Sequence, residues 1–433
     1  MTDGSGASAA VDSDGRSDVL IVTAWYPPEP APFGQMMYEL ARYLADHGLA
    51  VDVITSVPSH PHGVPYEGWH NRLLLEERPV TGLRVLRIGV LPRAASRRDR
   101  PRSTLLRVLA FLWFTVASFA VALSRTRPRA VFAVLQPLTV ALPMLALARA
   151  KRAGLVFNVQ DLHPDALVSL GLIRQRWLIG ALRGVERMAY SRCDALAVIS
   201  EGFRQHCLER GAIANRVRVI PNWIDLDEVR PATAPSPLRA RLGLEAEDFV
   251  ALYAGTIGLV SGAEVVLEAA ALLQESGVRF AFVGEGPLVP RLQAETRRRA
   301  LHNVGFLPFQ PRELLGDVQS LGDVSLVTLL PGHGTTSVPS KVLGYLAAAR
   351  PVVATVDPDC ETARFLRAAQ AGVIVPPADP RALADAILAL RSDRDGARRM
   401  GEAGRRYLEE RLAKERVLHL HEALLREVAG LRR

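Results

Sequence analysis

Residues 337–357 read SVPSKVLGYLAAARPVVATVD, and this stretch joins a helix pattern to a strand pattern. Ser340 and Lys341 follow a proline, and apolar residues then recur at helical spacing, whereas PVVAT has the composition of a buried strand. A helix that leads directly into a short apolar strand is the repeating unit of a parallel α/β sheet. Gly344 interrupts the helix at a cost of roughly 1 kcal/mol relative to alanine, so its presence requires a reason.

The same alternation extends through the chain. Strand patterns in the first half are SDVLIVTAWYPP, LAVDVITSV, LRVLRIGV, AVFAVLQ, LVFNVQD, DALAVIS and RVRVIPN. Those in the second half are FVALYAG, FAFVGEG, NVGFLP, VSLVTLL, PVVATV and GVIVPP. Helix patterns separate them, and two amphipathic helices, 381–392 and 396–429, are predicted at the end. Strands that alternate with helices predict doubly wound parallel sheets, whose ligands bind at the carboxyl ends of the strands.

Composition limits the class of protein. The chain has 433 residues, 49% hydrophobic and 23% charged, which is typical of two or three globular domains. Its net charge of +8 favours an anionic partner without choosing among nucleic acid, nucleotide and lipid. The three cysteines, Cys193, Cys207 and Cys360, are scattered, so neither a disulfide framework nor a zinc site is indicated. We expect a reducing cytosol.

One apolar run leaves alternatives open. Residues 108–123, VLAFLWFTVASFAVAL, carry no charge and follow the arginine-rich residues 93–107. A run of 16 residues is shorter than the roughly 20 needed to span a bilayer. A buried core helix is one interpretation, and a helix lying at a membrane interface beside a basic patch is the other.

Three loops of the second half favour a nucleotide site. YAGTIG at 253–258 and VGEGP at 283–287 each follow a strand, and SVPSK precedes a helix. Glycines in the first loop allow close backbone approach, which suits a phosphate at a helix amino end. Glu285 in the second loop can accept hydrogen bonds from sugar or base hydroxyls. Each loop alone is a weak signal, because glycine turns often serve only the fold.

Other motifs exclude competing classes. AWYPPEPAPFG after the first strand lacks GxGxxG, and no GxxxxGK[ST], GxSxG or HExxH occurs, which disfavours dinucleotide oxidoreductases, P-loop NTPases, α/β-hydrolases and zinc proteases. Two aspartate pairs match a DxD metal pattern by spacing, namely Asp225 with Asp227 and Asp357 with Asp359. Such short pairs arise easily by chance, so we expect no metal site.

The ordered motifs of the chain resemble those of a known family. The ordered motifs YPPE, ELARYLADHG, VQDLHPD, ISEGF, VIPNWID, YAGTIG, VGEGP, NVGFLP, VPSK, ARPVVAT and PPADPRALADAI, across about 18–425, are similar to those of family 4 glycosyltransferases. The resemblance implies the α/β GT-B fold, with two Rossmann-like, doubly wound domains facing a cleft, and a retaining, metal-independent mechanism. NWID and PSKVLGYLAAARPVV are closest to the colanic-acid-type subgroup of bacterial polysaccharide glycosyltransferases.

The resemblance also implies a domain plan. Residues 18–222 would form an N-terminal acceptor-binding domain, and 223–415 a C-terminal nucleotide-sugar-binding domain. PATAPSPLRARLG at 231–243 has the composition of a connection between them. Residues 416–433 would form a helix that packs back on the N-terminal domain. Residues 1–17 are small and polar, which predicts a disordered tail.

The donor residues follow from the resemblance, with two departures. The wider family carries two glutamates at the positions of Thr336 and Gly344, whereas the colanic-acid-type subgroup also has glycine at the second position. Relatives carry Arg and Lys after the first glycine loop, where Leu259 and Ser261 stand here. Lys341 is then expected to be the main cation for a diphosphate, because a positive charge at a helix amino end is unfavourable without an anion.

By position, the resemblance assigns three groups of donor contacts. Diphosphate contacts are assigned to Gly34, Gly255, Thr256, Gly258, Ser337, Ser340 and Lys341. Nucleoside contacts are assigned to Gly284, Glu285, Leu307 and Gly344, and donor-sugar contacts to Thr335 and Thr336.

The catalytic and acceptor residues are assigned in the same way. The family's His-Asp pair after the fifth strand of the first domain stands here as Gln160 and Asp161, with His163 nearby, and these three join Lys341 as catalytic candidates. Asp161 and His163 could instead cap the next helix. The acceptor candidates are Pro32, Phe33, His60 and His62, and the two histidines lack neighbouring metal ligands in sequence.

The expected reaction moves a sugar from a nucleoside-diphosphate sugar to an acceptor hydroxyl in bacterial polysaccharide or glycoconjugate biosynthesis. The expected acceptor is lipid-linked or a small molecule, with peripheral membrane contact through residues 93–123. No nucleic acid and no metal or other cofactor is expected, and the location is the cytoplasm or the inner face of the membrane. Alternatives are transfer to a soluble natural product, a non-catalytic sugar-nucleotide-binding pseudo-transferase, and a nucleotide-sugar epimerase.

Overall fold

The computed structural model describes residues 16–29, 31–59, 63–91, 100–169, 171–245, 247–258, 260–334 and 340–431. Residues 1–15 of the predicted disordered tail, 1–17, lie outside these ranges. Its last two residues, Arg16 and Ser17, belong to the first strand, so the predicted boundary is two residues too late.

The first half of the chain forms an eight-stranded sheet of order β3-β4-β2-β1-β5-β6-β7-β8. Its strands are β1 (Arg16–Val22), β2 (Val51–Ser56), β3 (Leu74–Val80), β4 (Leu83–Ile88), β5 (Arg127–Val134), β6 (Gly154–Val159), β7 (Ala195–Val198) and β8 (Val217–Val219). All neighbours pair in parallel except β3, which is antiparallel to β4. The strand patterns predicted seven of these strands. β3 was missed because it is an edge strand whose central residues, Glu76, Glu77 and Arg78, are charged.

The second half forms a six-stranded, parallel sheet of order β11-β10-β9-β12-β13-β14. Its strands are β9 (Phe249–Ala254), β10 (Val278–Val283), β11 (Val304–Leu307), β12 (Val324–Thr328), β13 (Val352–Thr355) and β14 (Gly372–Val375). The strands are apolar on both faces because helices cover both. All six were predicted from the sequence.

Helices connect the strands in both halves. Those of the first half are α1 (Pro32–Asp46), α2 (Arg100–Arg125), α3 (Ala141–Lys151), α4 (Asp165–Ser169), α5 (Arg176–Arg192) and α6 (Glu201–Glu209). Those that follow are α7 (Leu238–Arg241), α8 (Glu264–Leu272), α9 (Val289–Arg298), α10 (Leu315–Ser320), α11 (Lys341–Ala347), α12 (Glu361–Ala369), α13 (Pro380–Ser392), α14 (Arg394–Arg411) and α15 (Lys414–Ala429). Short 3₁₀ turns occur at Leu138–Val140, Ala214–Arg216 and Arg312–Leu314.

The chain forms two compact units. Unit 2 comprises Asn222–Arg416, and unit 1 comprises the chain up to Pro221 together with the segment from Val417. The C-terminal helix predicted over 396–429 is interrupted at Leu412 and Ala413, where Ala413 bridges to Ile224.

The segment from Val417 is part of the core of unit 1. The rings of His421 and Phe132 of β5 meet edge to face with centroids 5.6 Å apart. A Cβ on Gly154 would lie 2.4 Å from the Val428 carbonyl oxygen, so glycine is needed where α15 crosses β6. Arg426 donates to the His47 carbonyl oxygen at 3.1 Å.

The uncharged run 108–123 is part of a longer helix, α2. α2 has 26 residues, and its window Val108–Arg125 has a mean hydropathy of 1.8, long and apolar enough to cross a membrane by length and composition. Only 22% of that window is buried, so the interpretation as a buried core helix is wrong.

The buried imidazole of His421 predicts a pH-dependent stability. Burial lowers its pKa to about 3 in the folded chain, whereas the unfolded chain takes up a proton near the ordinary value of about 6.5. Acidification therefore favours the unfolded chain once the pH falls below that ordinary value, and this loss approaches roughly 2 kcal/mol at pH 5. Urea unfolding at pH 7 and pH 5 should show this loss.

The matched pair of variants is His421→Leu and His302→Gln. The first should make the stability less sensitive to pH, because the group that titrates on unfolding is gone. The second should leave the sensitivity unchanged, since His302 is exposed. An equal pH dependence in both variants would contradict the assignment.

Candidate functional site

The six-stranded sheet of unit 2 opens at its topological switch point. β9 pairs with β10 along its whole length, from Val278–Phe249 to Val283–Ala254. It pairs with β12 only through Ala251–Val324 and Leu252–Ser325, near the start of β12. The two strands then diverge toward their carboxyl ends. A crevice at this point of a doubly wound sheet is where such folds bind ligands.

Tyr345 of α11 fills the gap between the diverging strands. Its hydroxyl accepts from the Ala254 N–H at 2.7 Å and donates to the Ala254 carbonyl oxygen at 3.1 Å. These are the groups at the end of β9 that β12 no longer pairs. Burial raises the pKa of Tyr345 well above its ordinary value, so the hydroxyl keeps its proton. The bonds anchor α11 to the strand that leads into YAGTIG.

Lys341 begins α11 one turn before Tyr345 and points to the same strand. Its ammonium Nζ lies 3.6 Å from the centroid of the Tyr253 ring, a cation–π contact. Tyr253 is fully buried, and its hydroxyl donates to the Thr256 carbonyl oxygen at 3.3 Å. Ser340, at the N-cap, is exposed. The sequence-predicted cation therefore stands beside the first glycine loop.

The two glycine loops run side by side. The Gly255 N–H donates to the Val283 carbonyl oxygen and the Ile257 N–H to that of Glu285, each at 2.9 Å. A Cβ on Gly284 would lie 2.0 Å from the Gly255 carbonyl oxygen, and one on Gly286 would lie 2.2 Å from that of Ile257. The glycines of VGEGP are thus required by the approach of one loop to the other.

The first loop has open space beside its glycines. A Cβ on Gly255 would meet no atom within 4 Å among the described residues, although its φ of +120° favours glycine. Among the same residues, a Cβ on Gly258 would meet only the Thr256 side chain, at 3.9 Å. Thr256 and Glu285 are exposed. The loop therefore presents backbone and a hydroxyl to solvent at the carboxyl edge of the sheet.

The glycine inside α11 is explained by a neighbouring side chain. A Cβ on Gly344 would lie 2.8 Å from Cδ of Gln319, which is in the last turn of α10 and is 7% exposed. Gln319 therefore occupies the space that a larger residue at 344 would need. Leu307, the other predicted nucleoside contact, is buried, and its carbonyl oxygen accepts from the Gly284 N–H at 2.9 Å.

Several predicted site residues lie outside the residues that the structure describes. They are the donor-sugar candidates Thr335 and Thr336, the diphosphate candidate Ser337, and the acceptor candidates His60 and His62. Leu259, which stands where relatives carry a basic residue, lies outside them too.

In unit 1, the catalytic candidates follow β6. Gln160 donates to Asn158 Oδ1 at 2.9 Å, and Asp161 Oδ2 accepts from Gln136 Nε2 at 2.7 Å. Asp161 thereby ties the end of β6 to the end of the neighbouring β5. Burial lowers the pKa of His163, so its imidazole is neutral at pH 7. Its Nδ1 is buried with no hydrogen-bond partner among the described residues.

The other candidates of unit 1 lie where β1 leads into α1. Gly34 is buried in the first turn of α1, where a Cβ would lie 3.1 Å from the carbonyl carbon of Trp25. Pro32 is exposed and Phe33 is half-buried. The structure therefore groups these three at the carboxyl end of β1, and places Gln160, Asp161 and His163 at the carboxyl end of β6 in the same sheet.

The same edge of unit 1 contains a carboxylate that sequence reasoning missed. Glu29 of the YPPE motif is 5% exposed, and its Oε1 accepts from the Ser59 N–H at 2.8 Å. Burial, with a smaller contribution from the Glu29 charge, raises the pKa of Tyr66. A glutamate directly after the Pro-Pro that follows the first strand pattern is the signal that could have identified it.

The aspartate pairs serve the fold. Asp225 accepts from the backbone N–H groups of Asp227 and Glu228 at 2.9 and 3.2 Å and forms an ion pair with Lys414. Asp357 accepts from the Gly332 N–H at 2.8 Å. Within the ranges that the structure describes, no group of three or more His, Cys, Asp or Glu side chains is placed to hold a metal ion.

Comparison with known proteins identifies the class. Residues 33–223 match the glycosyl transferase 4-like domain, and residues 248–393 match glycosyl transferases group 1. The glycosyl transferase WcaI of Escherichia coli K12, named for colanic acid biosynthesis, is 31% identical over 351 residues, which cover 78% of this chain and 83% of that protein.

Two solved structures share the fold. Sucrose-phosphate synthase from Thermosynechococcus elongatus has a TM-score of 0.74 at 18% identity, covering 96% of this chain and 100% of that one. HepE of Anabaena, solved in complex with UDP, has a TM-score of 0.67 at 15% identity, covering 95% and 100%. The two α/β units, each built on a mainly parallel sheet, therefore have the GT-B fold.

The domain matches and the similarity to WcaI together show that the chain belongs to the family 4 glycosyltransferases. It is accordingly a glycosyltransferase, and the resemblance drawn from the ordered motifs is confirmed.

The contacts of Tyr345 predict the effect of removing its hydroxyl. In Tyr345→Phe, the buried N–H and carbonyl oxygen of Ala254 lose this partner, which should lower the free energy of unfolding by about 1–3 kcal/mol. Chemical denaturation measures the change. Tyr407→Phe, in the same unit, is the control and should change stability by less than about 0.5 kcal/mol, as is usual where no buried contact is lost. Equal stabilities of the two variants would contradict the proposed anchor.

Proposed function

We propose that the chain is a retaining, metal-independent glycosyltransferase that moves a sugar from a nucleoside-diphosphate sugar to an acceptor hydroxyl, in the synthesis of a bacterial polysaccharide or glycoconjugate. The observation that carries the donor assignment is the grouping of Lys341, the YAGTIG loop and the start of α11 at the switch point of unit 2.

The grouping suits a diphosphate by charge. The Lys341 ammonium is half-buried against the electron-rich face of Tyr253. Among the described residues, no carboxylate forms an ion pair with it, so its charge is available to an anionic ligand. A cation at a helix amino end is favourable when an anion shares the position. The complex of HepE with UDP supports a nucleoside diphosphate as the ligand class.

The chemistry follows from where charge develops. As the bond between the sugar and the β-phosphate breaks, negative charge grows on the departing diphosphate. Donors that are fixed before the reaction stabilise this charge without reorganising. Lys341, Ser340 and the backbone of the Thr256 turn would supply them, and Tyr345 holds their positions. In a retaining reaction without a protein nucleophile, the departing phosphate would itself take the acceptor proton.

The proposal assigns acceptor binding to unit 1. His163 is neutral because burial lowers its pKa, so it would contact a hydroxyl as a hydrogen-bond partner and not as a charge. Asp161 is held by Gln136 and would orient the same region. The acceptor class that fits the proposal best is a lipid-linked hydroxyl compound, reached from the cytoplasm by peripheral contact of residues 93–123 with the inner face of the membrane.

Two other outcomes are distinguishable by experiment. A pseudo-transferase would bind the donor without hydrolysing or transferring its sugar. A transferase acting on a soluble natural product would turn over in the absence of any lipid. A thermal-shift screen of UDP-, GDP-, dTDP- and ADP-sugars identifies the donor first, and product analysis with and without lipid acceptors then separates the alternatives.

Lys341→Ala tests the donor assignment. Loss of a charge-assisted contact worth about 1.5–3 kcal/mol should lower kcat/KM by roughly 10- to 100-fold. Part of the loss should fall on kcat, because the charge on the leaving group grows in the transition state. Steady-state kinetics with the donor found in the screen provide the measurement.

Arg297→Ala is the matched control, because it removes one exposed positive charge at the far end of α9. Its kcat/KM should stay within about twofold of wild type. Lys341→Arg keeps the charge and should recover part of the activity. Unchanged turnover in Lys341→Ala would place the diphosphate elsewhere. The free energy of unfolding should fall by no more than about 2 kcal/mol, since the half-buried Lys341 loses a single cation–π contact.

Metal independence is tested by chelation. The described donor residues contain a lysine and backbone groups in place of a carboxylate cluster, so charge compensation would come from the protein. We expect EDTA to leave the initial rate unchanged. A rate that falls with EDTA and returns with Mg²⁺ or Mn²⁺ would contradict the proposal.

A further inference from the structure

Over Val108–Leu123, the outer surface of α2 is apolar, while the face that packs on unit 1 is the more polar one. Five large side chains of α2 are exposed within an arc of roughly 100° of the helix, namely Val108, Leu109, Leu112, Val116 and Leu123. The buried face carries Thr115 and Ser118 beside Phe114 and Ala122. A helix in contact with water has the opposite arrangement, so this face is built for a non-aqueous neighbour.

α3 widens the apolar face. Thr115 Oγ1 of α2 lies 2.7 Å from Thr139 Oγ1 at the approach to α3, and Lys151 Nζ at its end donates to the Leu123 carbonyl oxygen at 2.6 Å. These two contacts place α3 alongside the second half of α2. Leu142 of α3 is 41% exposed and extends the apolar area. The six exposed side chains of the two helices are called the α2–α3 surface below.

α2 is fixed to unit 1 along its inner face. Trp113 Nε1 donates to the Gly89 carbonyl oxygen at 2.6 Å, just past the carboxyl end of β4, and Arg84 near the start of β4 donates to the Arg125 carbonyl oxygen at 3.1 Å. The helix therefore runs antiparallel to β4 and lies flat on the sheet. A helix bonded in this way has one free face, which suits lying on a membrane and not crossing it.

Charge identifies the partner. Residues 100–160 contain nine Arg or Lys and no Asp or Glu, whereas the rest of the chain has 44 basic and 45 acidic residues. The whole positive excess of the protein therefore resides in the segment that carries the α2–α3 surface. Arg125, Arg149 and Arg152 are exposed near the ends of the two helices. Apolar side chains flanked by cations match an anionic lipid surface, with acyl chains beneath negative head groups.

We propose that the α2–α3 surface docks on an anionic lipid bilayer, with its apolar side chains entering the interface and the flanking arginines contacting lipid phosphates. The proposal names the contact through which the proposed function would reach a lipid-linked acceptor. The first half of α2 extends past the carboxyl end of β4, which is the edge of the sheet at which the acceptor candidates also lie.

Flotation of the full chain with lipid vesicles tests the proposal. We expect binding to vesicles of phosphatidylglycerol with phosphatidylcholine, and weak binding to phosphatidylcholine alone. Raising the ionic strength from about 0.1 M to about 1 M shortens the Debye length from roughly 10 to 3 Å and should release much of the protein. Failure to float with the anionic vesicles at low salt would overturn the proposal.

Two double variants assign the contact to the surface. Leu112→Gln with Val116→Gln should lower the vesicle partition constant about tenfold or more, because two apolar side chains leave the lipid. Leu272→Gln with Leu420→Gln changes equally exposed leucines elsewhere and should leave it unchanged. Arg149→Gln with Arg152→Gln should lower binding to anionic vesicles about tenfold, whereas the charge-matched Arg297→Gln with Arg381→Gln should not.

Folding and function are measured separately. Thermal unfolding of each variant should match wild type, because the changed side chains are exposed. Donor binding by thermal shift uses unit 2 and needs no lipid, so a failure of flotation would leave the proposed donor site standing. If the Leu112 variant instead abolishes self-association of a wild-type dimer that does not bind vesicles, the surface is a protein interface and the proposal is wrong.

Discussion

The arrangement of the donor site depends on the Tyr345 hydroxyl, which satisfies both backbone groups of Ala254 where β9 and β12 part. Without this side chain, the gap that makes a crevice would also expose the end of the central strand. With it, α11 is held against β9, and Lys341 one turn earlier is brought over the Tyr253 ring. The same anchor holds Ala254 of the YAGTIG loop in place. The second glycine loop then packs against the first through the close approach of Gly284 to Gly255 and of Gly286 to Ile257.

Unit 1 has a related design with different chemistry. Its candidate residues stand at the carboxyl ends of β1 and β6, where Asp161 joins two neighbouring strands and His163 is kept neutral by burial. The neutral imidazole of His163 suits recognition of a hydroxyl, whereas the lysine of unit 2 suits a diphosphate. On its outer side the same unit carries an apolar, arginine-flanked helix pair. The two units thus divide the proposed tasks by charge: anion binding in unit 2, and hydroxyl and lipid recognition in unit 1.

Much of the fold could be predicted, because buried parallel strands are short apolar runs separated by helical patterns. The edge strand β3 could not, since three of its seven residues are charged, and the break at Leu412 carries no glycine or proline signal. At the site, Lys341 and the glycine loops were identified, but the reason for Gly344 was not, because Gln319 is 25 residues away in sequence and meets it only in the folded chain. Tyr345 could have been found from its position four residues after Lys341, on the same face of the helix. The outward direction of the apolar face of α2 required the structure, since periodicity does not say which side of a helix meets the sheet.

The central claim is that a nucleoside diphosphate binds at the switch point of unit 2. Hydrogen–deuterium exchange, measured with and without the nucleoside diphosphate that gives the largest thermal shift, tests it most directly. The account predicts slower exchange in 253–258, in 283–288 and in the first turns of α11, with little change at the far ends of the same strands. Saturating nucleotide that protects other segments and leaves these three unchanged would contradict it.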